Sequence, residues 1–315
     1  MVLHDFSVAI LTYGDRYKFL SKVLDNLLCQ DFLSIYVFCN GLSVDVKTLL
    51  IESYVDDRIC FLFSDINLGS AGGYYHLLKH VYRHDKSDYL LILDDDNIVQ
   101  TNFLAQLGEL RLDDNELLFF NRPDRSAPLR AFQTKNPRLL LGPERGFLGH
   151  SIVGYWLNSY AYVEGHLLAA PYGGLMISSS VFKSGVLPDE KLFLYGDDYD
   201  YTYRLTSRSG FKIRFMESPL VNDLEKSFHL KSNDKFILFS NRYASSNDDQ
   251  LFYSVRNQVY LSFRDNGGSL IGVLNLFIFA PIYVFQFLML GQLKRAKLFS
   301  GAVVRGLKMF FEEIQ

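Results

Sequence analysis

Tyr89-Leu90-Leu91-Ile92-Leu93-Asp94-Asp95-Asp96-Asn97 decides the fold of this chain: an unbroken apolar run stops abruptly at three consecutive carboxylates. Such a run reads as a strand buried on both faces. Its acidic end then lies at the carboxyl edge of a sheet, where open α/β folds bind their ligands. Successive strand side chains point to opposite faces, so Asp94 and Asp96 are expected on one side and Asp95 on the other. Hard carboxylate oxygens in this arrangement suit Mg²⁺ or Mn²⁺, which often bridge protein carboxylates to substrate phosphates. The competing reading is an acidic turn, with Asp96 or Asn97 capping a helix that begins near Thr101.

Upstream the strand signature recurs at Phe6 to Leu11, Ile35 to Cys39 and Arg58 to Phe63. Helical spacing follows the first two, through Leu20, Val23, Leu24 and Leu27 and then through Val46, Leu49 and Leu50. A glycine-rich segment, Asn67 to Gly73, follows the third and leads into a helix expected from Tyr74 to about Tyr82. This alternation predicts an α/β fold: a Rossmann-like, mostly parallel sheet with helices on both faces. Thr12, Asn40, Asn67 and Asp94 all lie at carboxyl ends of strands, as ligand contacts would. From about Asp113 to Tyr172 the pattern loosens around Pro123, Pro128, Pro137 and Pro143, as in a binding loop or lid. A returning strand is expected at Leu175 to Ser178, a helix opening at Tyr195 to Tyr201, and a last strand at Phe211 to Phe215.

The 315 residues, 49% hydrophobic and 21% charged, suffice for one large domain, taken as 1–265, and a helical C-terminal region, 266–315. A net charge of −3 without a basic stripe in the first two thirds excludes nucleic acid as a partner. Cys29, Cys39 and Cys60 lack metal-type spacing and read as reduced, packed thiols of a cytosolic protein. The first residues do not resemble a signal peptide.

A second acidic cluster, Asp197, Asp198 and Asp200, crowds into one turn at a predicted helix start. The helix dipole there favours ionised carboxylates and would hold a general base in its working state. Simple N-capping needs only one such residue. Asn67 to Gly73 either brings backbone amides close to a phosphate or ribose or makes a tight turn. Trp156, the single Trp, suits stacking on a sugar ring or a place in the core. His76, His80 and His84 share one helix face without accompanying carboxylates and read as solvated.

Taken in order, Val8 to Tyr13, Asn67-Leu68-Gly69-Ser70-Ala71-Gly72-Gly73, Leu93 to Asp96, Tyr195-Gly196-Asp197-Asp198-Tyr199-Asp200-Tyr201, His229 and Tyr253-Ser254-Val255-Arg256-Asn257 resemble the family 2 glycosyltransferases of the GT-A fold. The likeness spans about Val8 to Asn257. Within that family the chain is most similar to bacterial galactofuranosyltransferases, with rhamnosyltransferases second. The triple Asp favours the former, since the latter more often carry Gln as its middle residue. The resemblance implies inverting transfer from a nucleotide sugar, UDP-galactofuranose foremost, to a hydroxyl of a growing, lipid-linked surface polysaccharide or O-antigen glycan. It implies Asp94, Asp96 and His229 as ligands of Mn²⁺ or Mg²⁺, and Asp198 as the base. Donor contacts are expected from Thr12, Asn40, Asn67, Gly72, Gly73 and Asp95, and acceptor contacts from Trp156, Gly173, Gly174, Asp197 and Asp200. Gly196 stands where galactofuranosyltransferases usually have Trp, which would widen the acceptor pocket, and Asp200 replaces a usual Glu, which shortens a carboxylate expected to bind acceptor hydroxyls. The alternatives are another hexosyltransferase of this fold, a sugar nucleotidyltransferase, or a non-catalytic glycan-binding scaffold.

Leu270 to Leu290 is long and apolar enough to cross a bilayer, but Asn275, Pro281 and Gln286 interrupt it. Lys294, Arg295 and Lys297 follow, then an amphipathic stretch from Val303 to Phe311. Apolar surface beside a basic edge predicts a helix lying in an anionic membrane interface, with a true span and a buried helix pair or homo-oligomer contact as the alternatives. The expected location is cytoplasmic, peripheral on the inner face of the plasma membrane.

Overall fold

In the computed structural model, which describes residues 4–135, 141, 146–152, 165–225, 246–265 and 268–314, the decisive run forms β4 (Tyr89–Asp94). Its lack of alternation follows from its central place in an eight-stranded sheet, with Tyr89 to Leu93 all buried. The sheet is built from β1 (Phe6–Tyr13), β2 (Ile35–Asn40), β3 (Ile59–Ser64), β4, β6 (Glu116–Phe120), β7 (His166–Leu167), β8 (Leu175–Ser178) and β9 (Lys212–Met216). Their spatial order is β3-β2-β1-β4-β8-β6-β9-β7. Only β8 and β7 run against the others. In register, Leu11 lies opposite Asp94, so the loops after β1 and β4 leave the sheet at the same level.

Helices cover both faces, as the alternation of strands and helices predicts. On one face Val8, Ile10, Val37, Leu91 and Leu93 form a core with Leu20, Val23, Leu24 and Leu27 of α1 (Tyr17–Leu28) and Phe103 of α4 (Phe103–Gly108). α2 (Val44–Ser53) adds Leu50 to the same core. The opposite face receives α3 (Gly69–His84), which buries Ala71, Tyr74, Leu77, Leu78 and Val81. α5 (Ser126–Gln133), α6 (Ser179–Ser184) and α7 (Asp197–Ser207) complete this unit, with a small antiparallel pair, β5 (Asn97–Val99) and β10 (Val221–Asp223).

The helix expected from Tyr74 begins five residues earlier, so the glycine-rich segment is helix rather than loop. Close approach explains glycine there despite its poor helix propensity. A Cβ on Gly73 would stand 2.5 Å from Leu11 Cδ1, and one on Gly72 would stand 2.8 Å from Leu68 Cβ. At Gly69, φ is +71° and a Cβ would lie 2.0 Å from the Phe193 carbonyl oxygen. Gly69→Ala is therefore expected to lose roughly 2–5 kcal/mol of stability, backbone strain adding to a clash that backbone cannot relieve. Gly185→Ala, at φ +68° with open space around it, should lose only about 1 kcal/mol. Urea denaturation of the two variants measures the difference.

A second compact unit comprises 137–161, 194–196 and 228–315. Its described helices are α8 (Asp248–Asp265), α9 (Leu270–Met289) and α10 (Leu293–Glu313). α8, placed with the first domain by the 1–265 reading, packs on α10. A Cβ on Gly306 would stand 2.4 Å from the Arg256 carbonyl oxygen, and Phe263 meets Phe310 at 5.7 Å between ring centroids. α9 meets α10 through Tyr283 and Phe287, whose rings lie 5.2 and 5.9 Å from that of Phe299.

Candidate functional site

The carboxylate triplet does not continue the strand. β4 ends at Asp94, and Asp95 and Asp96 form a two-residue turn before β5, which overrides the strict alternation expected for the three. Asp95, pointing toward α1, accepts from the Thr12 hydroxyl (2.8 Å) and from Arg16 Nε (2.8 and 3.0 Å). Asp96 shares the same guanidinium at 3.7 Å. The capping alternative fails, because α4 starts only at Phe103 and Asn97 opens β5. Burial pushes the Asp95 carboxyl up to about 6 against the opposing Arg16 charge. Asp96 goes to about 7, pushed by burial and then by Asp94, Asp223 and Asp95.

Asp94 faces the other way, toward α3, where the Tyr74 hydroxyl donates to the Leu93 carbonyl (3.0 Å) and approaches Asp94 Oδ1 (3.4 Å). Its Oδ2 accepts from Arg122 (3.1 Å). Arg122, just beyond β6 and almost wholly buried, also donates through Nε to Asp223 (2.8 Å) and through Nη1 to the Gly173 carbonyl (3.2 Å). Asp223, whose side chain is fully buried, accepts in addition from Arg125 and Asn97, each at 2.9 Å. This network was not legible as a motif. Its signal was the short strand ELLFF ending two residues before Arg122, within the segment read as irregular.

The second acidic cluster occupies the first turn of α7, as expected. Asp198 is half-buried, and its Oδ1 accepts from the Tyr199 amide (2.8 Å). Asp197 is buried, accepts from the Ser70 hydroxyl (3.0 Å), and keeps Oδ2 without a hydrogen-bond partner among the described residues. Burial, then the Asp198 charge, raises its carboxyl well above the usual range. Asp200, expected at the acceptor, has a fully buried side chain that pairs with Arg204 (3.0 Å), one turn along the same helix. Two buried tyrosines join the clusters. Tyr74 meets Tyr172 with ring centroids 4.0 Å apart and planes tilted by 37°. Burial raises both phenols; the negative charges that add to it are Asp94, Asp95 and Asp197 for Tyr74, and Asp197 and Asp198 for Tyr172. The Tyr172 hydroxyl is a second buried polar atom lacking a partner among the described residues.

Several expected donor contacts prove to be braces. Asn40 accepts from the Leu68 amide (2.8 Å) and donates to the Gly69 carbonyl (2.9 Å), while Asn67 accepts from the Gly69 amide (2.8 Å). The Ala71 amide is taken by the Phe193 carbonyl (3.1 Å). Gly72 and Gly73 serve helix packing rather than an amide cradle, because the segment is helical. Gly173 and Gly174 do reach the site, beside the first acidic cluster: the Gly174 amide donates to the Ile92 carbonyl (2.9 Å). A Cβ at Gly173 would stand 2.2 Å from Arg122, 2.4 Å from Asn97 and 2.5 Å from Asp94. His229 and Trp156 lie outside the described residues.

The carboxylate oxygens of Asp94 and Asp96 suit a hard divalent cation by chemistry, and the Asp94 charge is felt at Asp96, but the turn brings Asp96 to Arg16 while Asp94 is held by Arg122. Asp96 is a buried carboxylate whose nearby cation is a guanidinium at 3.7 Å, already engaged by Asp95 and Glu225. Its raised affinity for a proton is what excess negative charge in a dry site produces. Among the described residues no three His, Cys, Asp or Glu side chains come together as an ion-binding group.

Residues 7–152 match the sequence model of the family described as glycosyl transferase family 2. No curated protein matches the chain. Among solved structures, the fold is similar to a mannosyltransferase from Pyrobaculum calidifontis, described in complex with GDP-Man and Mn²⁺. That likeness has a TM-score of 0.50 and 14% identity, covering 97% of this chain and 89% of that one. It is also similar to S. aureus TarS 1-349, described in complex with UDP-GlcNAc, with a TM-score of 0.50, 11% identity, and 94% and 90% of the two chains covered. A further likeness is to GalNAc-T7, described with UDP, GalNAc and Mn²⁺, with a TM-score of 0.50 and 12% identity. It covers 71% of this chain, which spans only 44% of that one. Residues 7–152, just under half of the chain, are thus similar to glycosyl transferase family 2, and the fold is of the GT-A type.

Proposed function

We propose that this chain is an inverting, divalent-metal-dependent glycosyltransferase, transferring galactofuranose from UDP-galactofuranose to a hydroxyl of a growing bacterial surface glycan. The observation that carries this reading is the joining of two acidic clusters within one compact unit, through the Tyr74–Tyr172 ring contact and through α3, which places Tyr74 by Asp94 and Ser70 by Asp197. Nucleotide sugars and Mn²⁺ in the structures of similar fold support it. The run Asn67 to Gly73 and Asp95 at the middle of the triplet favour galactofuranose over rhamnose.

In this mechanism the acceptor oxygen bonds to the anomeric carbon as the bond from that carbon to the diphosphate oxygen breaks. Asp198 takes the hydroxyl proton. Its place in the first turn of α7 favours the carboxylate form it needs. Asp197, buried and held by Ser70, retains its proton and offers a hydrogen bond to a substrate oxygen, with the Tyr172 hydroxyl beside it. Thr12 and Arg16 hold Asp95 for the donor. Asp94, Asp96 and His229 are the residues that would hold Mn²⁺ or Mg²⁺, and a divalent ion there supplies Lewis-acid stabilisation of a departing diphosphate.

The test is UDP or dTDP release across a panel of sugar nucleotides. UDP-galactofuranose should give the highest rate, falling at least tenfold with chelator and returning with added Mn²⁺. Turnover that survives chelation would remove the metal assignment. Pyrophosphate release from a nucleoside triphosphate and a sugar phosphate would establish the nucleotidyltransferase instead.

A further inference from the structure

α9 is apolar on both sides, and only one side is used for packing. Asn275, Tyr283 and Phe287 are buried within the second unit. The Asn275 side chain accepts from the Ile152 amide (2.7 Å) and donates to Ser151 Oγ (3.3 Å). Opposite them, Leu270, Leu274, Phe277, Phe285, Leu288 and Met289 are exposed, Phe277 and Met289 each to 71%. At 100° per residue these six fall within about 120° of the helix circumference. They form one stripe, and contiguous exposed apolar surface of this kind marks an interaction site.

Charge identifies what covers it. Residues 270–315 carry five Lys and Arg against two Glu, while the rest of the chain carries 27 against 33. Leu290 and Leu293 are exposed between the helices, and on the exposed face of α10 Lys294, Lys297, Arg305 and Lys308 stand beside Val304 and Phe311; Lys294 pairs with Asp248, and Arg305 and Lys308 share the single Glu312, which leaves that face net positive. A cationic segment on an otherwise anionic protein selects an anionic surface, and apolar side chains beside it call for a lipid interior. α9 meets the length and composition of a membrane span. Its buried, hydrogen-bonded Asn275 nevertheless ties one side of it to protein.

We infer that the outer face of α9, with the basic face of α10, is an interfacial docking surface for an anionic phospholipid bilayer, on which α9 lies flat. The inference is independent of the catalytic reading.

The full-length chain is mixed with phosphatidylcholine vesicles, with or without phosphatidylglycerol, and recovered by flotation. Binding should appear with the anionic vesicles, weaken with salt, and fall at least tenfold on neutral ones. Lys297→Gln with Lys308→Gln should weaken it by about fivefold per charge removed. Phe277→Ser with Phe285→Ser should abolish it while leaving the melting temperature and the transfer rate to a soluble acceptor unchanged. Equal binding to both vesicle types, no binding to either, or resistance to alkaline carbonate extraction would overturn the inference. So would a solution dimer that the two Phe substitutions dissociate, which would make a second copy the occupant.

Discussion

Asp198→Asn should lower the rate of sugar transfer by about 10²–10⁴-fold while UDP binding stays within about twofold, because a missing general base affects the chemical step alone. The substitution is close to isosteric. Asn keeps the oxygen that accepts from the Tyr199 amide, so the first turn of α7 is preserved. What disappears is the capacity to take a proton from the incoming hydroxyl. Asp197→Asn provides the contrast. Burial already raises that carboxyl well above its usual range, which favours its neutral form, and an amide resembles a neutral acid with little change in charge. Its effect should fall in KM for the acceptor more than in kcat. Single-turnover transfer and UDP titration calorimetry read the two apart, and unchanged transfer by Asp198→Asn would refute the assignment of the base.

Arg122→Met should destabilise the protein by about 3–5 kcal/mol, the usual consequence of removing one partner of a buried ion pair. The residue is 3% exposed and its guanidinium serves Asp94, Asp223 and the Gly173 carbonyl together. Without it Asp223 remains buried on Arg125 and Asn97, and Asp94 loses its paired cation. The double variant Arg122→Met with Asp223→Asn should recover part of the loss, since the stranded charge is then gone. Arg122→Lys should recover little, because one ammonium cannot replace a planar fork that bridges three acceptors. Chemical denaturation of the three variants gives the comparison, and a loss below about 1 kcal/mol for Arg122→Met would show that the network is not a support.

Much of this architecture is readable from hydrophobic pattern. The strands at Phe6, Ile35 and Tyr89 announce themselves because each is buried on both faces and leaves no room for polar alternation, while the edge strand at Ile59 is only part-buried yet as apolar in sequence. The two acidic clusters stand out for the opposite reason, as charge concentrated where apolar runs end. The less legible features depend on contacts distant in sequence. Gly72 and Gly73 look like a loop because glycine disfavours helices. Only the approach of Leu11 and Asn40 shows that a helix needs glycine there. β6 is five residues long and precedes Pro123 and Pro128, so local signals place it in irregular chain. β5 and β10 have three residues each and exist through their pairing with one another. Arg122 and Asp223 are 101 positions apart, and nothing local to either predicts that they meet. Asp200, by contrast, sat four residues before Arg204, a spacing that anticipates their ion pair.

The crowding around Gly173 also bears on engineering. With Arg122, Asn97 and Asp94 at 2.2, 2.4 and 2.5 Å from where a methyl group would sit, the surface beside the first acidic cluster is main chain at that point. Any side chain placed there would displace the ends of Arg122, Asn97 and Asp94 and so break their network. Altered sugar preference is better sought at neighbours whose side chains have space to change, with residue 173 held constant as the hinge of the design.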